Sequence, residues 1–95
     1  MAKRKEALGI VECRGITAAI EAADSMVKTA DVAVIGTQKI GNALIYTAVT
    51  GTVDAVKEAV DAGSKTAESL GELYAAHVMP RPDDEIFRII EIISK

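Results

Sequence analysis

Aromatic side chains are nearly missing: there is no tryptophan, with one phenylalanine and two tyrosines in 95 residues. The interior must then be built from alanine, valine, isoleucine and leucine, and side chains this small let backbones approach closely. Cysteine is scarce as well. The lone Cys13 can form neither an internal disulfide nor a zinc cluster, which points to a reducing compartment, the cytosol. No basic excess exists either. Lys+Arg number 11 against 14 Asp+Glu, a formal charge of -3, so the footprint needed to grip a phosphate backbone is absent and nucleic acid is not an expected partner. No apolar run approaches the ~20 residues that cross a bilayer, and the start, Met1-Ala2-Lys3-Arg4-Lys5-Glu6, lacks a signal peptide's apolar stretch. The expectation is a mature chain with no membrane partner. The triplet Lys3-Arg4-Lys5, followed at once by Glu6, reads as a solvated start.

What the chain does have is a hydrophobic content of 49%, which excludes disorder, and a length that allows one domain, residues 1–95, with no second core. From Glu6 to Cys13 a short apolar run predicts a strand buried on at least one face. Between Gly15 and Ala30 the apolar residues Ile16, Ala19, Ile20, Ala23, Met26, Val27 and Ala30 recur with helical spacing, and Asp24 stands one turn before Lys28 on the other face. Val32 to Thr37 and Leu44 to Thr50 predict a hairpin that turns near Gly41-Asn42, residue types that tolerate positive φ. Thr52 is placed to cap a helix with Asp54 at its positive end. That helix carries Val53, Val56, Val60, Gly63, Ala67 and Leu70 on one stripe and Ala55, Ala59, Ala62 and Thr66 on the next. Gly63, which costs ~1 kcal/mol against alanine in a helix, is explained by a close neighbour.

Gly71 ends the helix, and Glu72 to Met79 predicts a fourth strand whose exit is held extended by Pro80-Arg81-Pro82. Asp83 then caps a short helix with Ile86, Ile89, Ile90 and Ile93 on one face and Phe87 nearby. The order βαββαβ followed by α predicts a ferredoxin-like α+β sandwich: a four-stranded antiparallel sheet with helices on one face. A partner subunit is the expected cover for the other face.

Chemistry is hard to find. Cys13 and His77 fall in the first and fourth strands, which this order allows to be neighbours, but a strand histidine held by a hydrogen bond is the simpler reading. Two soft ligands this far apart fall short of a metal site. Gly36-Thr37-Gln38-Lys39-Ile40-Gly41 has the glycine spacing of a phosphate loop, yet Asn42-Ala43 stand where lysine and serine or threonine are required. The acidic cluster Asp83-Asp84-Glu85 is explained by a helix start. No catalytic residue, metal or cofactor is expected.

Four stretches carry a resemblance that spans Glu6 to Pro82: 6–12 with Arg14-Gly15, the helix segment 18–28, Lys39-Ile40-Gly41, and His77-Val78-Met79-Pro80-Arg81-Pro82. Together they resemble the hexameric, single-domain shell proteins of bacterial microcompartments. The resemblance implies a ferredoxin-like variant, a flat disc of six copies with a central pore, and discs that meet edge to edge. It also implies roles. Lys39, Ile40 and Gly41 would belong to the pore loop, with Asn42 facing the six-fold axis and Ala43 beside it, where the family's usual sequence is Gly-Ser-Gly. Lys28 and Arg81 would lie on the disc edge, with Asp31 and Asp83 standing where asparagine and histidine are common. The implied partners are further copies of the chain, other shell proteins, vertex pentamers, enclosed enzymes and small polar metabolites in the pore. The small-residue helix faces and the lack of a catalytic constellation agree with a self-assembling tile. An effector-binding oligomer of the signalling type is the alternative, and a small enzyme using Cys13 or His77 a distant third.

Overall fold

In β1 (Ala7–Arg14) successive side chains alternate between two apolar environments. Ala7, Val11 and Cys13 join one core cluster, while Leu8 and Ile10 join another, as the two-residue period of a strand requires when both faces are covered. The computed structural model describes residues 6–94; the Lys3-Arg4-Lys5 triplet lies outside the described residues. The remaining elements are α1 (Ile16–Thr29), β2 (Ala33–Lys39), β3 (Leu44–Gly51), α2 (Val53–Leu70), β4 (Glu72–Met79) and α3 (Asp84–Ile93). The expected order is observed. The sheet runs β2-β3-β1-β4 with every pairing antiparallel, so β2 and β4 are its edges.

The first core cluster joins Val11, Cys13, Ile45 and Val49 of the sheet to Ala18, Ala22 and Met26 of α1 and Val56, Ala59 and Val60 of α2. Both long helices therefore lie on one face, as predicted. They meet where Gly63 has no side chain: a Cβ there would come within 2.7 Å of Met26 Cγ and 3.4 Å of the Ala22 carbonyl oxygen. Ser25 and Thr66 hydroxyls complete that contact at 2.7 Å. Caps form as expected. The Thr52 hydroxyl accepts from the Ala55 N–H at 3.2 Å, and the Asp83 carboxylate accepts from the Glu85 N–H at 3.0 Å.

The opposite face differs from expectation. The cover there is in part the chain's own α3, whose buried Phe87 and Ile90 join Leu8, Tyr46 and Ala48 in the second cluster. The Tyr46 hydroxyl contacts the Ser94 hydroxyl and donates to the Ile90 carbonyl oxygen at 3.4 Å, anchoring the end of α3.

Two helix faces are rotated from the predicted ones. In α1 the buried residues are Ala18, Ala19, Ala22 and Met26, while Ile16, Ile20 and Val27, predicted on the buried stripe, are exposed by 67%, 62% and 44%. In α3, Ile89 and Ile93 lie outside the core that takes Phe87 and Ile90. Leu70, at the end of the α2 stripe, is also exposed. The spacing identified the helices correctly, but alanines fit closely against the sheet and leave the larger aliphatics facing outward.

Candidate functional site

The loop joining β2 to β3 is a tight turn built from left-handed backbone. Gly41, Asn42 and Ala43 have φ of 96°, 50° and 66°, so the turn predicted at Gly41-Asn42 takes in Ala43 as well. The Leu44 N–H donates to the Gly41 carbonyl oxygen at 2.8 Å and the Ile40 N–H to that of Leu44 at 2.7 Å. Positive φ at both central residues, Asn42 and Ala43, is the requirement of a type I′ hairpin turn, with Gly41 as an extra residue before it. Asparagine adopts this conformation readily; alanine does so at a cost. All three residues are exposed.

The body of the protein reaches this loop through β1. The Arg14 guanidinium donates from Nη1 to the Asn42 carbonyl oxygen at 2.6 Å and from Nε to Glu72 Oε1 at 3.2 Å. The Gly15 N–H donates to the Ala43 carbonyl oxygen at 2.9 Å. Lys39 is the last residue of β2, pairs with Ile45 and is exposed. Its side chain lines an open groove of about 320 Å³ with Ile16, Ala19, Ile20, Ala23, Thr37 and Thr47, so the exposed stripe of α1 continues into the β2 edge. Ile40 is 45% exposed at the loop's foot.

Lys28 and Arg81 stand at the other end of the molecule. Lys28 is in the last turn of α1, fourteen residues long and hence about 20 Å from its first turn beside the loop. The Lys28 ammonium bonds Asp24 Oδ2 at 2.9 Å, and that hydrogen bond, with the Asp24 charge behind it, raises its pKa above the ordinary lysine value. Arg81, exposed, follows β4 where Met79 pairs with Leu8 at the start of β1, whereas the loop lies beside Arg14 at the end of β1.

Cys13 and His77 do not meet. His77 pairs with Ile10 and is exposed, while Cys13 pairs with Leu73 and is buried against the long helices. Burial also pushes the Cys13 thiol pKa up, the reverse of what activates a nucleophile. Among the described residues no three of His, Cys, Asp or Glu gather as metal ligands, and no helix is long and apolar enough to cross a membrane. Sequence reasoning assigned no role to Arg14, whose signal was its place next to a glycine at a strand end, and it put Ile16 and Ile20 of α1 on the buried stripe, where the structure exposes them. The signal for their outward position was the second, alanine stripe of Ala18 and Ala22 beside them.

A small α+β domain whose distinctive parts are an exposed left-handed loop and exposed aliphatic stripes is of the class that associates with other chains. Residues 7–82 match the BMC domain family. Over 87 residues the chain is 52% identical to the bacterial microcompartment shell protein PduA of Citrobacter freundii, covering 92% of this chain and 94% of that one. It is 46% identical over 90 residues to the microcompartment shell protein EutM of Salmonella typhimurium, covering 95% and 94%. Against the carboxysome shell protein CsoS1 of Prochlorococcus marinus the identity is 44% over 81 residues, covering 84% and 79%. The fold matches a microcompartment protein of Desulfitobacterium hafniense DCB with a TM-score of 0.83 at 26% identity. That match covers 97% of this chain and 50% of the other, so the chain spans half that protein's length. The chain belongs to the BMC domain family, and its role is structural, that of a microcompartment shell protein and not of an enzyme. These relatives favour the shell reading over the effector-binding one.

Proposed function

We propose that the chain, as one shell domain, forms cyclic hexamers that tile into sheets, with loop 39–43 around the six-fold axis and Lys28 and Arg81 on the rim. The observation that carries this reading is the polarity of the domain: the loop lies at one end of β1 and α1, while Lys28 and Arg81 lie at the other. A subunit of a disc must have this arrangement if one end is to meet an axis and the other a neighbouring disc. The two flanks of the domain also differ in the way a ring needs. On the β2 side is the groove with Ile16 and Ile20; on the β4 side are Tyr74, 60% exposed, and Leu70, 52% exposed. Unlike apolar patches on opposite flanks suit a head-to-tail contact, which closes into a ring when the rotation allows.

In the ring, Asn42 and the loop N–H groups offer hydrogen bonds to small polar metabolites, and Lys39 biases the mouth toward anions at distances within the ~8 Å Debye length. Other shell proteins and vertex pentamers continue the wall, and enzymes lie within it. The test is native mass spectrometry at micromolar protein with microscopy of the same sample. A species of about 60 kDa, six copies of a 10.0 kDa chain, in discs or sheets is expected; a stable monomer or trimer overturns the reading.

A further inference from the structure

The pair Arg14-Gly15 belongs to the resemblance and takes no part in the axis or the rim. We infer that Arg14 and Gly15 act as a clasp that sets the polarity of the pore loop, turning its carbonyl groups toward the body and its N–H groups toward whatever passes. This rests on the reading of 39–43 as a pore loop. Each of the three carbonyls at the tip is occupied by a donor: Gly41 by the Leu44 N–H, Asn42 by Arg14 Nη1 at 2.6 Å, and Ala43 by the Gly15 N–H at 2.9 Å. The N–H groups of Gly41, Asn42 and Ala43 donate to no described acceptor. Without the clasp a turn this exposed could rotate its peptide planes, and acceptors would mix with donors at the tip.

Arg14 suits the task because Glu72, its cross-strand neighbour, holds Nε at 3.2 Å and aims the planar guanidinium, leaving Nη1 to reach the loop. Gly15 suits it because its φ of 101° lets the chain leave β1 with its N–H directed at Ala43 and enter α1 at once. Arg14 is a positioning residue. A six-fold arrangement of loops held in this way presents donors to anions and to carbonyl-bearing solutes.

The test uses assembled protein and two readouts. Hydrogen exchange is followed at the Leu44 amide, which closes the turn, with Val56 and Val60 in α2 as controls; ion preference is followed as the reversal potential of assemblies in a planar lipid bilayer under a KCl gradient. Arg14→Gln is expected to speed Leu44 exchange by about tenfold or more, the size expected for loss of a charge-assisted hydrogen bond, with the controls unchanged. Arg14→Lys, which keeps the charge but not the fork, is expected to fall between, and it carries the test if the glutamine variant does not fold. Unchanged Leu44 exchange in a folded variant overturns the clasp. Faster exchange with a reversal potential that moves toward zero supports both the clasp and the pore. Faster exchange in assemblies whose parent shows no ion preference supports the clasp and counts against the pore reading alone.

Discussion

Ala43 holds a backbone conformation that suits glycine. Its φ of 66° costs an L-residue ~1–2 kcal/mol, and glycine returns ~0.4–1 kcal/mol of that as unfolded-chain entropy. Ala43→Gly is therefore expected to stabilise the protein by about 0.5–1 kcal/mol in urea unfolding at fixed protomer concentration. The alanine where the resemblance leads one to expect glycine was visible in the sequence; the left-handed φ was not, because it depends on where the hairpin closes. Cys13 makes the complementary case. Its burial was legible from an apolar strand, and burial raises the thiol above its ordinary value of 9.0. The unfolded thiol then ionises first, so this contribution to stability is complete below pH 9 and is lost as pH climbs through the folded value. Denaturant midpoints followed from pH 8 to 11 are expected to fall more steeply for the parent than for Cys13→Ala.

Strand and helix identities were readable because apolar spacing reports them directly; which flank of each helix is buried was not. α1 carries alanines and isoleucines on adjacent stripes, and spacing alone does not choose between them. How closely a helix sits on the sheet is set by small residues on both sides, as Gly9 shows for α2. A Cβ at Gly9 would lie 2.5 Å from Val60 Cγ2, 2.7 Å from Val56 Cγ1 and 3.2 Å from Val49 Cγ2, three branched side chains with little rotamer freedom to yield. Gly9→Ala is expected to cost about 1–3 kcal/mol, read as a lowered urea midpoint with the far-ultraviolet spectrum retained. The position of α3 was equally hidden in the sequence. Its isoleucines are spaced for either face of the sheet, and Gly36 is what admits it: a Cβ there would meet the Ser94 hydroxyl, Ile90 Cγ2 at 3.0 Å and the Tyr46 hydroxyl at 3.0 Å.

For the molecule as a whole, the candidate site is a matter of placement, and sequence could name its residues only through resemblance. Lys28, Arg81 and the loop are far apart in the chain, and only the sheet register shows that the first two share an end. If the α1 groove meets a second copy, Ile20→Glu, which puts a charge at a residue already 62% exposed, should leave the fold intact by circular dichroism and reduce the hexamer to smaller species by light scattering. Lys28→Ala and Arg81→Ala should act otherwise. A solvated rim contact contributes only ~1 kcal/mol, but a lattice repeats it along every edge, so large sheets should be lost by microscopy while the hexamer persists. The placement of α3 against the sheet face opposite α1 and α2 has one more consequence. Rotation about a single axis never turns a subunit over, so every copy in such a disc keeps α3 at the same height. Discs laid down with one orientation thus yield a wall whose two surfaces are chemically unlike, a membrane with an obverse and a reverse written into each chain.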